Sequence, residues 1–60
     1  MYIFHAHYTH IYSHQQIVKK IEVEEQFFRN EREVFLYAMG QAYDLQQKNE
    51  SFDGLELMCC

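Results

Sequence analysis

Tyr2-Ile3-Phe4-His5-Ala6-His7-Tyr8-Thr9-His10-Ile11-Tyr12 is the stretch that decides the fold. Tyr2, Phe4, Ala6, Tyr8, His10 and Tyr12 fall on one side at period two; Ile3, His5, His7, Thr9 and Ile11 fall on the other. Aromatic and β-branched residues in strict alternation form a half-buried strand, here over residues 2–12. Polar Ser13-His14-Gln15-Gln16 interrupts it, and alternation resumes over residues 17–24, with Ile17, Lys19, Ile21 and Val23 opposed to Val18, Lys20, Glu22 and Glu24. A tight turn centred on His14-Gln15 sets Tyr12 against Ile17, Tyr8 against Ile21 and Ala6 against Val23. Two apolar stripes then share one face. A slip of one residue would mix the faces, so the pattern selects against it.

Beyond this hairpin the period changes. Asn30 followed by Glu33 reads as a helix N-cap with its capping-box partner, and Phe27 or Phe28 just ahead can staple the first turn. The helix is expected over residues 31–48, with Phe35, Ala38, Met39, Ala42 and Leu45 on its inner side. Gly40 beside Ala38 and Ala42 gives a small-residue surface for close approach to a sheet. Lys48 suits the helix C-terminus, and Asn49 suits a left-handed cap. Phe52-Asp53-Gly54 reads as a turn, and residues 55–59 as a short third strand. Placing that strand beside the first gives the order 2-1-3 with antiparallel pairing. The expected fold is therefore α+β: one two-layer β-β-α-β domain over residues 1–60, a mostly antiparallel three-stranded sheet covered on one face by one helix.

In coarse layout the chain resembles many small phage- or prophage-encoded strand–strand–helix–strand proteins. Ile21-Glu22-Val23-Glu24 closing a hairpin, the capped helix from Asn30, and Gly54-Leu55-Glu56-Leu57 carry the likeness. It is a likeness of pattern, with no diagnostic motif.

Sixty residues is near the lower limit for a chain that folds alone, and such folds usually need a disulfide, a metal or a partner subunit. The only two cysteines, Cys59 and Cys60, are adjacent and cannot staple distant elements. A reducing compartment fits better than a secreted scaffold. No signal-peptide pattern or membrane span is visible, so a cytoplasmic location is expected and a membrane partner is not. The net charge of −4 is uneven: residues 1–20 hold Lys19 and Lys20 and no acid, while all nine acids follow. That balance disfavours direct nucleic-acid binding, and the aromatic stripe Tyr2, Tyr8 and Tyr12 aligns with Ile17, Ile21 and Val23 as core.

One helix covers one face of a sheet. The other face is expected to expose Ile3, Ile11, Val18 and Met58, with Glu22 and Glu24 nearby, as an interaction surface suited to homodimerisation. His5-Ala6-His7 puts two imidazoles on one strand face at a spacing used by zinc sites, but no third ligand follows locally. In the expected register His7 faces Glu22 and His5 faces Glu24, ordinary favourable cross-strand pairs. No nucleophile elbow, phosphate loop or metalloprotease motif is present, so neither a catalytic residue nor a cofactor is assigned. Glu22, Glu24, Glu25, Glu31 and Glu33 cluster near the strand–helix junction. They allow a second reading, an acidic inhibitor that mimics nucleic acid and blocks a nucleic-acid-binding enzyme. A histidine-based metal module comes third. The leading expectation is a non-enzymatic interaction or regulatory protein, homodimeric, that engages a host or cellular protein.

Overall fold

The alternating hairpin, the capped helix and the C-terminal strand form an open three-stranded sheet in the order β2-β1-β3 with one helix against it. This computed structural model describes residues 1–59. Cys60, on which the cysteine-pair reading turns, lies outside the described residues, as do the side chains of Glu25 and Cys59. β1 (Tyr2–His10) lies in the middle and pairs antiparallel with β2 (Gln16–Val23) and with β3 (Glu50–Cys59). A short 3-10 turn (Glu25–Phe27) leads to α1 (Glu31–Leu45).

The hairpin register departs from the expected one. Tyr8 pairs with Ile17 and Phe4 with Ile21, because the loop spans residues 11–15 rather than a two-residue turn. His10 organises that loop. Its Nδ1 accepts from the backbone N–H groups of Tyr12 and Ser13, and its carbonyl accepts from the His14 N–H at 2.8 Å. His14 turns the chain with φ of 62°. Ile11 and Tyr12 thus leave the strand, and Tyr12 is 74% exposed rather than core. The shift is by four residues, an even number, so every strand residue keeps its expected face.

Asn30 caps α1 as its sequence implies: the Glu33 N–H donates to Asn30 Oδ1 at 3.0 Å. The return bond goes to Arg29, whose N–H donates to Glu33 Oε1 at 2.8 Å. The buried stripe of the helix is Val34, Ala38 and Ala42: the two alanines are as expected, Val34 takes the place expected for Phe35, and neither Met39 nor Leu45 is fully buried. The helix is rotated toward its smallest residues, which lets it approach the sheet closely, and Phe35 and Leu45 stay 41% and 38% exposed.

α1 ends at Leu45 rather than Lys48, because β3 begins five residues earlier than expected. Phe52-Asp53-Gly54 is not a turn. Phe52 pairs with Tyr8 and Gly54 with His7, leaving Asp53 as the extra residue of a β-bulge. The bulge corrects an odd spacing, so that Phe52, Leu55 and Leu57 all face the helix layer. Thr9 Oγ1 donates to the Asp53 carboxylate and holds the bulge.

The core consists of Phe4, Ala6, Tyr8, Ile21, Val23, Val34, Ala38 and Ala42. At its centre the Tyr8 hydroxyl donates to the Ala42 carbonyl. Lys19, the single charge in the inward stripe of β2, lies 4.5 Å from the Tyr8 ring centroid. Its Nζ donates at 2.6 Å to the last helical carbonyl, Leu45, and at 2.6 Å to Glu50 Oε1. α1 has no basic residue in its last turn, so Lys19 supplies from β2 the cation that the helix C-terminus favours.

Phe4→Ala is expected to destabilise the fold by about 3–5 kcal/mol. Phe35→Ala should cost roughly 1–2 kcal/mol, since much of that ring already meets water. Denaturant titration of both variants checks this ordering; equal losses would mean that Phe35 belongs to the core.

Glu50 gives a pH prediction. The Lys19 hydrogen bond and then the Gln47 N–H lower its carboxyl pKa below the ordinary value. A depressed pKa contributes stability that is present above the unfolded value, about 4.3, and is lost as pH falls through the folded one. Glu50→Gln should therefore be less stable than the parent at neutral pH, and the gap should close as pH drops below the ordinary carboxylate range. A gap that stays constant down to acid pH would refute the clasp.

Candidate functional site

Ile3, His5, His7 and Thr9 of β1 point away from the helix, flanked by Val18, Lys20 and Glu22 of β2 and by Glu56 of β3. This open sheet face is mixed rather than apolar. Ile3 stands opposite Glu22, and His7 opposite Val18, which is 51% exposed. Lys20 Nζ lies 3.7 Å from Glu22 Oε1. Met58 is 49% exposed beyond Leu57, where the β1–β3 register shifts again. Ile11 is 46% exposed but sits in the hairpin loop, off the sheet face. Glu24 lies past the end of β2, where its carboxylate accepts from Gln26 Nε2 at 3.1 Å.

The expected histidine pairings change with the register. Neither His5 nor His7 faces an acid on β2: His5 lies opposite Lys20, and His7 opposite Val18. The acid comes from β3 instead, as Glu56 opposite His5, and its Oε1 is 3.2 Å from His7 Nε2. Both groups are well exposed. Among the described residues no cluster of three or more His, Cys, Asp or Glu is placed to hold a metal ion.

Acids that looked available from the sequence are partly engaged by the fold. Glu33 caps the chain ahead of α1, Glu50 binds Lys19, and Asp53 holds the bulge. Glu22 and Glu24 border a shallow hollow with Val23, Phe27, Phe28 and Tyr37, in which the Phe28 and Tyr37 rings pack at 5.2 Å.

A second surface was not visible in the sequence. The helix covers Ile21 and Val23 of β2, at 5% and 2% exposure, but leaves Leu57 of β3 47% exposed. An open-sided groove of about 380 Å³ results between α1 and the β1–β3 end of the sheet, lined by Tyr2, Phe4, Val34, Phe35, Leu36 and Leu57. The Phe35 ring packs edge-on to Phe4 at 6.2 Å and forms one wall. Glu31 and Arg32 line it as well. Glu31 accepts a long hydrogen bond of 3.5 Å from the Tyr2 hydroxyl, and Arg32 makes no ion pair among the described residues. Farther along the same flank of α1, Tyr43 packs on Phe52 at 5.0 Å and is itself 58% exposed. The only signal for this groove in the sequence is the row of large side chains beside the Val34-Ala38-Ala42 stripe.

No protein-family model, curated protein or solved structure matches the chain. No helix among the described residues is long and apolar enough to cross a membrane.

The histidines set up a direct measurement. Zn²⁺ at low micromolar concentration is expected to leave the melting temperature unchanged, because a two-imidazole site lacks affinity without further ligands. A zinc-dependent rise that disappears in both His5→Ala and His7→Ala would establish a metal site instead.

Proposed function

We propose that this protein is a non-enzymatic interaction module that works as a homodimer. The observation that carries the reading is the distribution of its apolar side chains. Among the described residues, the large core members are Phe4, Tyr8, Ile21, Val23 and Val34, while twelve large hydrophobic side chains are 38% exposed or more. Scattered apolar residues on a surface are ordinary. Here Phe35, Leu36 and Leu57 converge on one groove, and contiguous exposed apolar area marks a surface that another molecule covers.

The chemistry of the groove favours a protein over a small ligand. Small-ligand sites enclose the ligand between apolar walls with a few polar groups converging on it, whereas this groove is open-sided and its charged lining residues, Glu31 and Arg32, are exposed to water. An enzymatic reading has weaker support. His7 and Glu56 form the acid–base pair that looks most like catalytic machinery. They sit on an open strand face with side-chain exposures of 41% and 59%, where water competes for every proton transfer. The domain thus offers docking surface and little enclosed chemistry. A homodimer built on it remains free to present the acidic open face to a host or cellular protein.

Sedimentation velocity over a dilution series tests this. The expected result is a dimer at micromolar concentration that dissociates on dilution without loss of helical signal. A well-folded monomer at every accessible concentration would overturn the reading.

A further inference from the structure

We infer that the second copy docks on the α1–β3 side of the molecule, with the two β3 edges antiparallel across a two-fold axis and the two α1–β3 grooves closing on each other. This rests on the homodimer reading above and names its interface. The sheet would continue as β2-β1-β3-β3-β1-β2, with both helices on one face.

Three observations converge on this side. The first is coverage. α1 buries Ile21 and Val23 toward the β2 edge and leaves Leu57 toward the β3 edge, so pairing at β2 covers little apolar surface, whereas pairing at β3 covers Leu57 together with Leu36. The second is the strand edge. β3 is hydrogen-bonded on one side only, to β1. Between its irregularities at Asp53 and Met58, the regular run Gly54–Leu57 presents its outer backbone groups as a short template for another strand.

The third observation is charge. A two-fold contact requires a patch complementary to itself. Glu31 and Arg32, neighbours in the groove lining, are opposite in sign and neither is held in an ion pair among the described residues. Each can therefore meet its counterpart across the axis. The open sheet face fails that requirement. It carries three carboxylates, Glu22, Asp53 and Glu56, against one lysine and two histidines, and Lys20 and His7 already lie beside Glu22 and Glu56, so stacking two copies there adds acid to acid with little cation left to meet it. Like charges juxtaposed at an interface cost several kcal/mol, by general experience with complexes.

The test is sedimentation of the parent chain and five variants, with circular dichroism to confirm folding. Leu36→Glu puts a carboxylate into the groove at a side chain that is 59% exposed, so the monomer fold does not depend on it. It should raise the dissociation midpoint by about tenfold or more, and Val18→Glu on the open face should leave it unchanged. Glu31→Arg and Arg32→Glu should each weaken the dimer, and the double swap should recover most of the loss; Arg32→Glu adds an acid to the first turn, which favours the helix, so its weakening of the dimer is not damage to the helix. A dimer that survives Leu36→Glu but falls apart with Val18→Glu overturns this interface and keeps the homodimer. So does a double swap no better than the single changes. A parent chain that is monomeric throughout overturns both.

Discussion

The hydrogen bond from the Tyr8 hydroxyl to the Ala42 carbonyl is the constraint on which the rest of the structure depends. It joins the middle of the central strand to the helix, and it forms only if the helix lies close to the sheet. Ala38 and Ala42 permit that approach, and both are fully buried. The phenol is protonated at neutral pH and can donate, and burial, then the charge of Glu50, push its pKa further up. Lys19 completes the cluster over the Tyr8 ring. By binding both the Leu45 carbonyl and the Glu50 carboxylate it ties the last helical carbonyl to the start of β3. A buried polar contact of this kind gives little net stability, but an unsatisfied one is costly, and it selects a single packing.

Close approach has a consequence for everything on either side of the alanine stripe. A helix that contacts the sheet through Val34, Ala38 and Ala42 cannot also bury the large residues beside them. Phe35, Leu36 and Tyr43 are displaced onto one flank, Tyr37 onto the other, and each remains at least 41% exposed. Lowering the helix shrinks the core and enlarges the apolar surface at the same time. The groove beside β3 is thus a product of the same geometry that satisfies Tyr8.

Much of the fold was legible because alternation is a parity signal. Phe4, Ala6 and Tyr8 with Ile21 and Val23 were assigned to the inner face, and they are buried there. The same parity hid the error in register, since a shift of four residues leaves every face unchanged while replacing every partner. That is why the acid beside His7 comes from Glu56 rather than Glu22. Asp53-Gly54 misled for a different reason. Asp-Gly is a strong turn dipeptide, and here it serves a bulge inside a longer strand. Only the apolar Phe52 hinted that the strand begins earlier. Lys19 was the clearest hint left unread, because a lysine inside an apolar stripe needs a partner, and its partners lie far off in the chain.

The candidate interaction surface was less legible than the fold, because helix rotation is a choice between neighbouring stripes that hydrophobicity alone does not decide. Centring the face on Phe35 and Met39 offers more apolar area than centring it on Val34, so a rule that buries the most apolar stripe picks the first; both choices include Ala38 and Ala42. The folded monomer takes the second, with Val34 buried, Met39 half-buried and Phe35 exposed. The sequence therefore contains more large apolar side chains than a single copy of this fold can enclose. The proposed second copy would resolve the mismatch without adding any element: it would leave the alanine stripe against the sheet and cover the aromatic flank from outside. The small core is the condition for the helix to sit low on the sheet, and the exposure of Phe35, Leu36 and Tyr43 follows from it.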